Sequence, residues 1–158
     1  MTDETPRELV FAFEELPSLV GQRFCGEWFA VDAAHARQFD EAAYTTDNPY
    51  RFDEEFYPEG LVEGFHLLSL LDHLQNPVFR LSDGQLAGWN YGLDRVRFTS
   101  PVKIGDPVRL LGEVAEVTPR GGGFLVRLDC ELELKNQDKP AMVASWLALF
   151  FGPATDDD

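Results

Sequence analysis

One segment of this chain restricts its fold more than any other, because it is apolar on almost every side. Residues 61–75, LVEGFHLLSLLDHLQ, have the length and composition of an α-helix. A helix that lies on the surface of a protein is apolar on one face only, whereas this segment needs cover nearly all round. The sequence therefore predicts a helix from Leu61 to about Gln75 that is buried in the core.

Four segments after this helix have the patterns of β-strands. Residues 124–135 alternate apolar and charged side chains, which is typical of a strand with one face in water. Residues 92–102 and 106–118 predict two further strands, and the PRGGG sequence after the second predicts a hairpin turn. Residues 141–151, AMVASWLALFF, are apolar at nearly every position and predict a central strand covered on both faces.

The segments before the apolar helix predict a strand, a helix and a loop. Residues 21–31 have the composition of a strand, and residues 33–44 predict a helix with Asp32 as its N-cap. Residues 45–60 contain two prolines and a glycine and predict a loop of ordered turns. A sheet wrapped around one central helix accounts for this order of elements, so the sequence predicts an α+β fold.

The composition limits the class of protein and its partners. The chain has 158 residues, of which 44% are hydrophobic, so we expect one globular domain over residues 1–158, with its core at about residues 20–151 and solvated tails. A net charge of −15 disfavours nucleic acid and anionic membranes as partners. No apolar run approaches the ~20 residues that span a bilayer. The acidic N-terminus is unlike a signal peptide, so we expect a cytoplasmic protein. The spacing of Cys25 and Cys130 fits no metal site and favours buried free thiols over a disulfide.

Several motifs across residues 20–151 belong together. TDNPYRFD is similar to an Asp-x-Asn-Pro-x-His loop, and LVEGFHLLSLL is similar to a helix that opens with His-Gly. VRFTSPVKIGDPVRLLGEV matches a Phe-x-x-Pro-Val-x-x-Gly-Asp strand and turn. These are motifs of the MaoC-like dehydratases, also called (R)-specific enoyl-CoA hydratases, which the chain therefore resembles. NYGLDRVRF and KPAMVASWLALFF resemble the nodulation-protein-N-like branch of that family.

The resemblance implies a hot-dog fold, in which an antiparallel sheet wraps around one central helix. It implies an acyl-CoA or acyl-carrier-protein thioester as substrate or ligand, with no cofactor and no metal ion. It also implies a homodimer or a higher oligomer, since the sheets of two protomers join edge to edge in this fold.

The residues that carry the chemistry of that family differ in this chain. Counting back from Asn48 places Thr46 at the position of the family's catalytic Asp, and counting forward from Pro49 places Arg51 at that of its catalytic His. Asp47 lies one residue from the expected position. A function cannot be carried over from the fold alone when the acid and base are missing.

The loop before the helix offers three candidate site residues. Asp47 is a candidate catalytic base, although Asp-Asn-Pro is also a strong turn sequence by itself. Asn48 is a candidate substrate-binding residue that holds the loop or orients water, or only a turn former. Arg51 stays protonated and is no base, but it can hold Asp47 or a ligand phosphate, or form a surface salt bridge instead.

The helix offers three more candidates. Glu63 and His66 lie three residues apart and share a helix face, so they form a candidate catalytic pair. The alternative is a satisfied core histidine, with Glu63 capping the first turn. Gly64 at the helix N-terminus can present its N–H to a thioester oxygen, or can serve helix–sheet packing. Asn90 and Tyr91 precede a strand beside the expected pocket, and their polar tips are candidate substrate contacts.

Three functional hypotheses follow from these residues. The first is a MaoC-like enoyl-thioester hydratase or dehydratase, a hydro-lyase in which Asp47 or the Glu63 and His66 pair replaces the missing dyad. The second is a non-catalytic acyl-CoA-binding or partner subunit. The third is an acyl-CoA thioesterase that works through Glu63.

Overall fold

Seven strands and two α-helices make up the described part of the chain, which comprises residues 5–47, 56–82 and 87–152 of a computed structural model. The helices are α1 (Ala33–Ala42) and α2 (Gly64–Gln75). The strands are β1 (Leu9–Phe11), β2 (Arg23–Cys25), β3 (Phe79–Leu81), β4 (Ala87–Phe98), β5 (Val108–Arg120), β6 (Gly123–Leu134) and β7 (Met142–Phe151). Two 3-10 helices cover Phe13–Leu19 and Thr45–Asp47.

Five of the strands form one antiparallel sheet in the order β2-β5-β6-β7-β4, and β1 and β3 pair as a separate parallel ribbon. One face of the large sheet is buried together with the leucines of α2 in a single hydrophobic cluster. The cluster receives every second side chain of β6 and β7, as pleated strands require. This arrangement confirms the predicted α+β fold with an antiparallel sheet against a central helix.

The hairpin between β5 and β6 confirms the turn predicted from PRGGG. Arg120 pairs with Gly123, which leaves Gly121 and Gly122 as a two-residue loop. Both glycines have positive φ angles, +58° and +81°. A two-residue loop of this conformation matches the right-handed twist of its strands, and glycine adopts it without steric cost.

The apolar segment of residues 141–151 is an interior strand, but its two faces are not equally covered. In β7 the side chains of Met142, Ala144, Trp146, Ala148 and Phe150 are buried, whereas the alternate residues are half-buried. The prediction of cover on both faces is therefore correct for one face only. The inner face packs on the core, and the outer face is half-buried.

Helix α2 begins later than the sequence predicts. Leu61 forms a β-bridge with Lys103, and the Val62 N–H donates to the Val102 carbonyl at 2.8 Å. These pairings hold residues 61 and 62 extended along the segment before β5, and the helix starts at Gly64. The predicted start at Leu61 is wrong because the apolar run includes residues that pair with a neighbouring chain segment.

Some short elements are not revealed by the periodicity of the sequence. β1 and β3 are short, and the predicted strand of residues 21–31 is reduced to β2 and a single bridge between Phe29 and Val108. Helix α1, by contrast, begins where predicted. The Asp32 side chain caps it by accepting from the N–H groups of Ala34 and His35.

The remaining expectations concern thiols and membrane segments. Cys25 and Cys130 are both buried and form no disulfide, as predicted. Burial raises the pKa of the Cys130 thiol to about 12, so this side chain is not a nucleophile near neutral pH. Within the described ranges, no helix has the length and apolar character needed to cross a bilayer.

Candidate active site at the start of helix α2 and along the groove beside strand β4

The candidate residues of the loop lie mostly beyond the described structure. Thr45–Asp47 form a 3-10 turn shortly after α1, and the Thr45 hydroxyl donates to the Asp40 carbonyl at 3.0 Å. The side chain of Asp47 and the whole of Asn48 and Arg51 lie outside the described residues. Their proposed roles stay predictions.

The N-terminus of α2 has no side-chain cap. Glu63 is the N-cap residue with an extended backbone, and its carbonyl accepts from the Leu67 N–H at 3.0 Å. Its carboxylate makes no capping hydrogen bond. The alternative in which Glu63 caps the first turn is therefore wrong. Among the described residues, no side chain caps the first N–H groups of the helix, where the helix dipole places a partial positive charge of about +0.5.

Gly64 is in close contact with the sheet. A Cβ atom at this position would lie 2.9 Å from Cε2 of Phe98, closer than atoms pack. The Phe98 ring and Gly64 line a cavity of about 310 Å³, which also includes Leu67 and Pro101. Glycine is thus needed here for helix–sheet packing, and the same close approach leaves the start of α2 facing a cavity.

His66 is buried between the two helices. Its imidazole is 7% exposed and stacks on the Phe39 ring, with centroids 4.4 Å apart and planes 7° from parallel. Burial lowers the pKa of His66, an effect that the nearby Asp40 opposes and His35 reinforces. The imidazole is therefore neutral near pH 7, when it can accept a hydrogen bond as well as donate one.

The pKa of Glu63 shifts in the opposite direction to that of His66. Partial burial raises the pKa of its carboxyl group, and the negative charge of Asp40 raises it further. Among the described residues, no hydrogen bond joins Glu63 to His66. The negative charge of Asp40 acts on both side chains and raises the pKa of each.

Asp40 is the site residue that sequence reasoning missed. It lies four residues after Ala36, the buried position of α1, and so falls on the helix face that turns towards the core. Helical spacing alone can identify that face. Its importance depends on the packing of α1 beside the start of α2, which no local pattern reveals.

All three histidines of the chain line one cavity on the α1 side of α2. This cavity, of about 280 Å³, is bounded by His35, His66 and His73 together with Asp32 and Phe29. His35 is exposed, and its Nδ1 lies 2.7 Å from the Asp32 carboxylate. His73 packs edge-on against the Phe29 ring, 4.9 Å between centroids. No group of metal-binding side chains occurs among the described residues, these histidines included.

A groove between α2 and β4 leads away from the helix start. Two adjoining cavities of about 470 and 530 Å³ lie along it, the first beside Phe65 and Leu93 and the second beside Asn76 and Phe79. Because β4 is the last strand of the sheet, the groove is open along one side. Phe65 and Trp89 are 73% and 70% exposed there.

The two candidates on β4 have different surroundings. Asn90 lines both cavities of the groove and is hydrogen-bonded to Asp72 and Trp146. Tyr91 lies at a register shift in the pairing of β4 with β7. The Arg120 guanidinium lies over its ring, 4.6 Å from the ring centroid. The structure thus places Asn90 in the groove and places Tyr91 against Arg120 instead.

Comparisons with known proteins agree with this geometry. No family model matches the chain. Nodulation protein N of Rhizobium leguminosarum bv. viciae is 33% identical over 142 residues, which cover 85% of this chain and 88% of the relative. The 3-hydroxyacyl-thioester dehydratase Z of Mycobacterium tuberculosis is 35% identical over 130 residues, covering 79% and 83%.

Solved structures with the same fold support the assignment. The monoamine oxidase regulatory protein of Archaeoglobus fulgidus superposes with a TM-score of 0.67 at 21% identity, covering 94% of this chain and 99% of that one. A MaoC-like dehydratase from Rhodospirillum rubrum gives a TM-score of 0.61 at 18% identity, covering 86% and 94%. Fold, motifs and relatives agree, and the chain belongs to the MaoC-like hot-dog family, in the branch that contains nodulation protein N.

Proposed function

We propose that this protein is an enoyl-thioester hydratase, which adds water reversibly to the double bond of an enoyl-CoA and dehydrates the 3-hydroxyacyl product. The observation that carries the proposal is the start of α2, where Gly64 lines one cavity and Phe65 lines the groove, with Glu63 as the N-cap residue beside them. A relative that is named for the dehydration of 3-hydroxyacyl thioesters supports the same reaction class.

Glu63 acts as the general base in this proposal. Its raised pKa makes it a better proton acceptor than an ordinary carboxylate, and it takes one proton from a water molecule. The water oxygen bonds to Cβ of the substrate, and the electrons of the double bond move onto the thioester as an enolate. The protonated Glu63 then returns its proton to Cα, so that one carboxyl group serves both half-reactions.

The start of α2 stabilises the enolate oxygen. Hydrogen-bond donors that already point at the developing charge lower the barrier, since they need no reorganisation during the reaction. The N–H groups at Gly64 and Phe65 have no side-chain cap, and the helix dipole adds to their effect. Neutral His66 lies in the same turn but lines the cavity on the α1 side of α2, so its part in the proposal is to hold this turn through its stack on Phe39.

The loop residues complete the proposed site. Asp47 is a second candidate base, since it lies one residue from the position at which the family places its acid. Asn48 positions the water or the loop, and Arg51 binds a phosphate group of the carrier. Asn90 contacts the acyl chain in the groove. A substrate carried by coenzyme A or by an acyl-carrier protein satisfies these roles, and no cofactor or metal ion takes part.

A non-catalytic acyl-thioester-binding or partner subunit is the second candidate function. Thr46 and Arg51 favour it, because they replace the Asp and His on which hydration in this family depends. Such a subunit binds the thioester in the groove without changing it. A thioesterase that works through Glu63 is a third candidate, and it differs from a hydratase in its product.

One assay separates the three functions. The purified protein is incubated with crotonyl-CoA and with longer enoyl-CoAs, and the absorbance of the conjugated thioester is recorded with the release of free thiol. A hydratase removes the conjugated absorbance without releasing thiol. Thiol release identifies a thioesterase, and binding with neither change identifies the non-catalytic subunit and contradicts the proposal.

We also propose that the protein is a homodimer or a higher oligomer joined through β4. In the described part of the sheet this strand is at the edge and pairs with β7, and its residues are nearly all exposed. Phe65, Trp89 and Leu93 leave an apolar surface beside it. A second copy that adds its own β4 to this edge pairs the free backbone groups and closes the open side of the groove.

A further inference from the structure

Three side chains form a hydrogen-bonded bridge across the groove between α2 and β4. The Asn90 amide nitrogen donates to the Asp72 carboxylate at 2.9 Å, and the Trp146 indole N–H donates to the Asn90 amide oxygen at 3.0 Å. An indole N–H can only donate and a carboxylate can only accept, so these partners fix the orientation of the amide. We call Asp72, Asn90 and Trp146 the polar bridge.

The polar bridge lies where the two cavities of the groove meet. Its three residues line both the cavity of about 470 Å³ and that of about 530 Å³. The first cavity, nearer the start of α2, is mainly apolar, with Phe65, Leu68 and Leu93 in its walls. The second cavity is more polar and includes Gln75, Asn76 and Arg80.

The bridge keeps two hydrogen-bonding positions towards the groove. Asn90 has a second amide hydrogen, and Asp72 has a second carboxylate oxygen, and neither is used by a partner among the described residues. A hydroxyl group satisfies both at once, because it accepts from the amide and donates to the carboxylate. A plain alkyl chain that passes this point covers both groups without replacing their water, which is unfavourable.

We infer that the polar bridge selects acyl thioesters whose chain carries a hydroxyl group far from the thioester. The inference rests on the proposed function for the site at the start of α2. Asp72 follows Gly64 by eight residues of helix, a rise of about 12 Å, which an extended chain spans with roughly ten bonds. The hydroxyl group therefore lies about ten carbons from the thioester carbonyl.

The test compares two enoyl-CoAs of equal length, with and without a hydroxyl group about ten carbons from the thioester. Their kcat/KM values are measured for the parent protein and for Asn90→Leu, with Asp72→Ala as a second variant that keeps the strand sequence intact. Ser145→Ala is the matched control, because Ser145 adjoins Trp146 on the same strand but bonds to Asp129 on the other sheet face.

We expect the parent and Ser145→Ala to prefer the hydroxylated substrate about tenfold or more, as one or two hydrogen bonds allow. Asn90→Leu and Asp72→Ala should reduce that preference to near unity, because each variant removes one of the two groups that bind the hydroxyl. Equal turnover of both substrates by the parent, or a preference that survives in both variants, overturns the inference and leaves the hydratase function standing.

An inactive protein is a different outcome. If the parent turns over no enoyl-CoA, the proposed function fails, and affinities for the matching saturated acyl-CoAs are measured by tryptophan fluorescence. Tighter binding of the hydroxylated compound that is lost in Asn90→Leu supports the selection by the polar bridge. Equal affinities overturn it.

Discussion

At the residue scale, burial shifts the pKa values of Glu63 and His66 towards each other. Partial burial raises the pKa of Glu63 and burial lowers that of His66, with Asp40 close to both. The carboxylate becomes a better base and the imidazole remains uncharged, and both properties suit proton transfer near neutral pH. Sequence reasoning identified Glu63 and His66 as a pair, because their spacing places them on one helix face. It did not identify Asp40, since that depends on how α1 packs.

The lowered pKa of His66 predicts how stability changes with pH. The imidazole binds a proton more weakly in the folded than in the unfolded chain, whose histidine pKa is near 6.5. Its contribution to stability is therefore complete above pH 6.5 and is lost as the pH falls towards the folded pKa. We expect the Tm to drop between pH 7 and pH 5 by roughly 2–4 °C more than in His66→Phe.

The His66→Phe variant preserves the stack on Phe39 and removes the titration. His73→Gln serves as the control, because this histidine is exposed and is not among the groups that shift the pKa of His66. Thermal unfolding curves at several pH values compare the pH dependence of Tm in the parent and the variants. A pH dependence that is the same in parent and His66→Phe would contradict the assignment.

At the element scale, length and periodicity decide what a sequence can predict. β6 is long and alternates cleanly, and the PRGGG sequence fixes its hairpin, so both were predicted. β1 and β3 are too short to show any period. The start of α2 was predicted too early, because an apolar run looks alike whether it continues a helix or pairs with the backbone at Lys103. Such pairings depend on residues far apart in the chain.

Gly64 gives a prediction for the contact between helix α2 and strand β4. Alanine is the better helix former by up to about 1 kcal/mol, but its Cβ at this position would meet the Phe98 ring at 2.9 Å. We expect Gly64→Ala to lower the free energy of unfolding by about 1 kcal/mol. In the Phe98→Ala background the same change should be neutral or stabilising, as denaturant unfolding of the four proteins can measure. Equal losses in both backgrounds would show that the ring is not the obstacle.

At the scale of the whole molecule, the proposed oligomer accounts for the open groove and for the edge position of β4 in the described sheet. The comparison with hot-dog proteins supports the fold of a single protomer. The proposed oligomer also accounts for the apolar side chains that this protomer leaves exposed. The family motifs allowed the fold and the reaction class to be predicted from sequence. The three-residue bridge across the groove was beyond reach, since Asp72, Asn90 and Trp146 come from three separate elements.

Phe65 tests the proposed oligomer. It is 73% exposed in the single chain, so Phe65→Glu should leave the fold of one protomer intact while it places a charge in the interface. We expect sedimentation of the parent at micromolar concentration to give a dimer or a larger species, and of Phe65→Glu to give a monomer. Val20→Glu, at an exposed apolar position outside α2 and β4, is the charge control. A parent that sediments as a monomer rules out the oligomer.

The role of Glu63 as general base is tested most simply by the rate at which Glu63→Gln hydrates an enoyl-CoA that the parent turns over. We predict that kcat falls by about 10²–10⁴-fold, since the amide cannot accept the proton of water. The Tm should stay the same or rise by roughly 1–2 °C, because a partly buried charge beside Asp40 is removed. Glu41→Gln, next to Asp40 but exposed, should keep the parental rate. A Glu63→Gln variant that is folded and fully active would contradict the account.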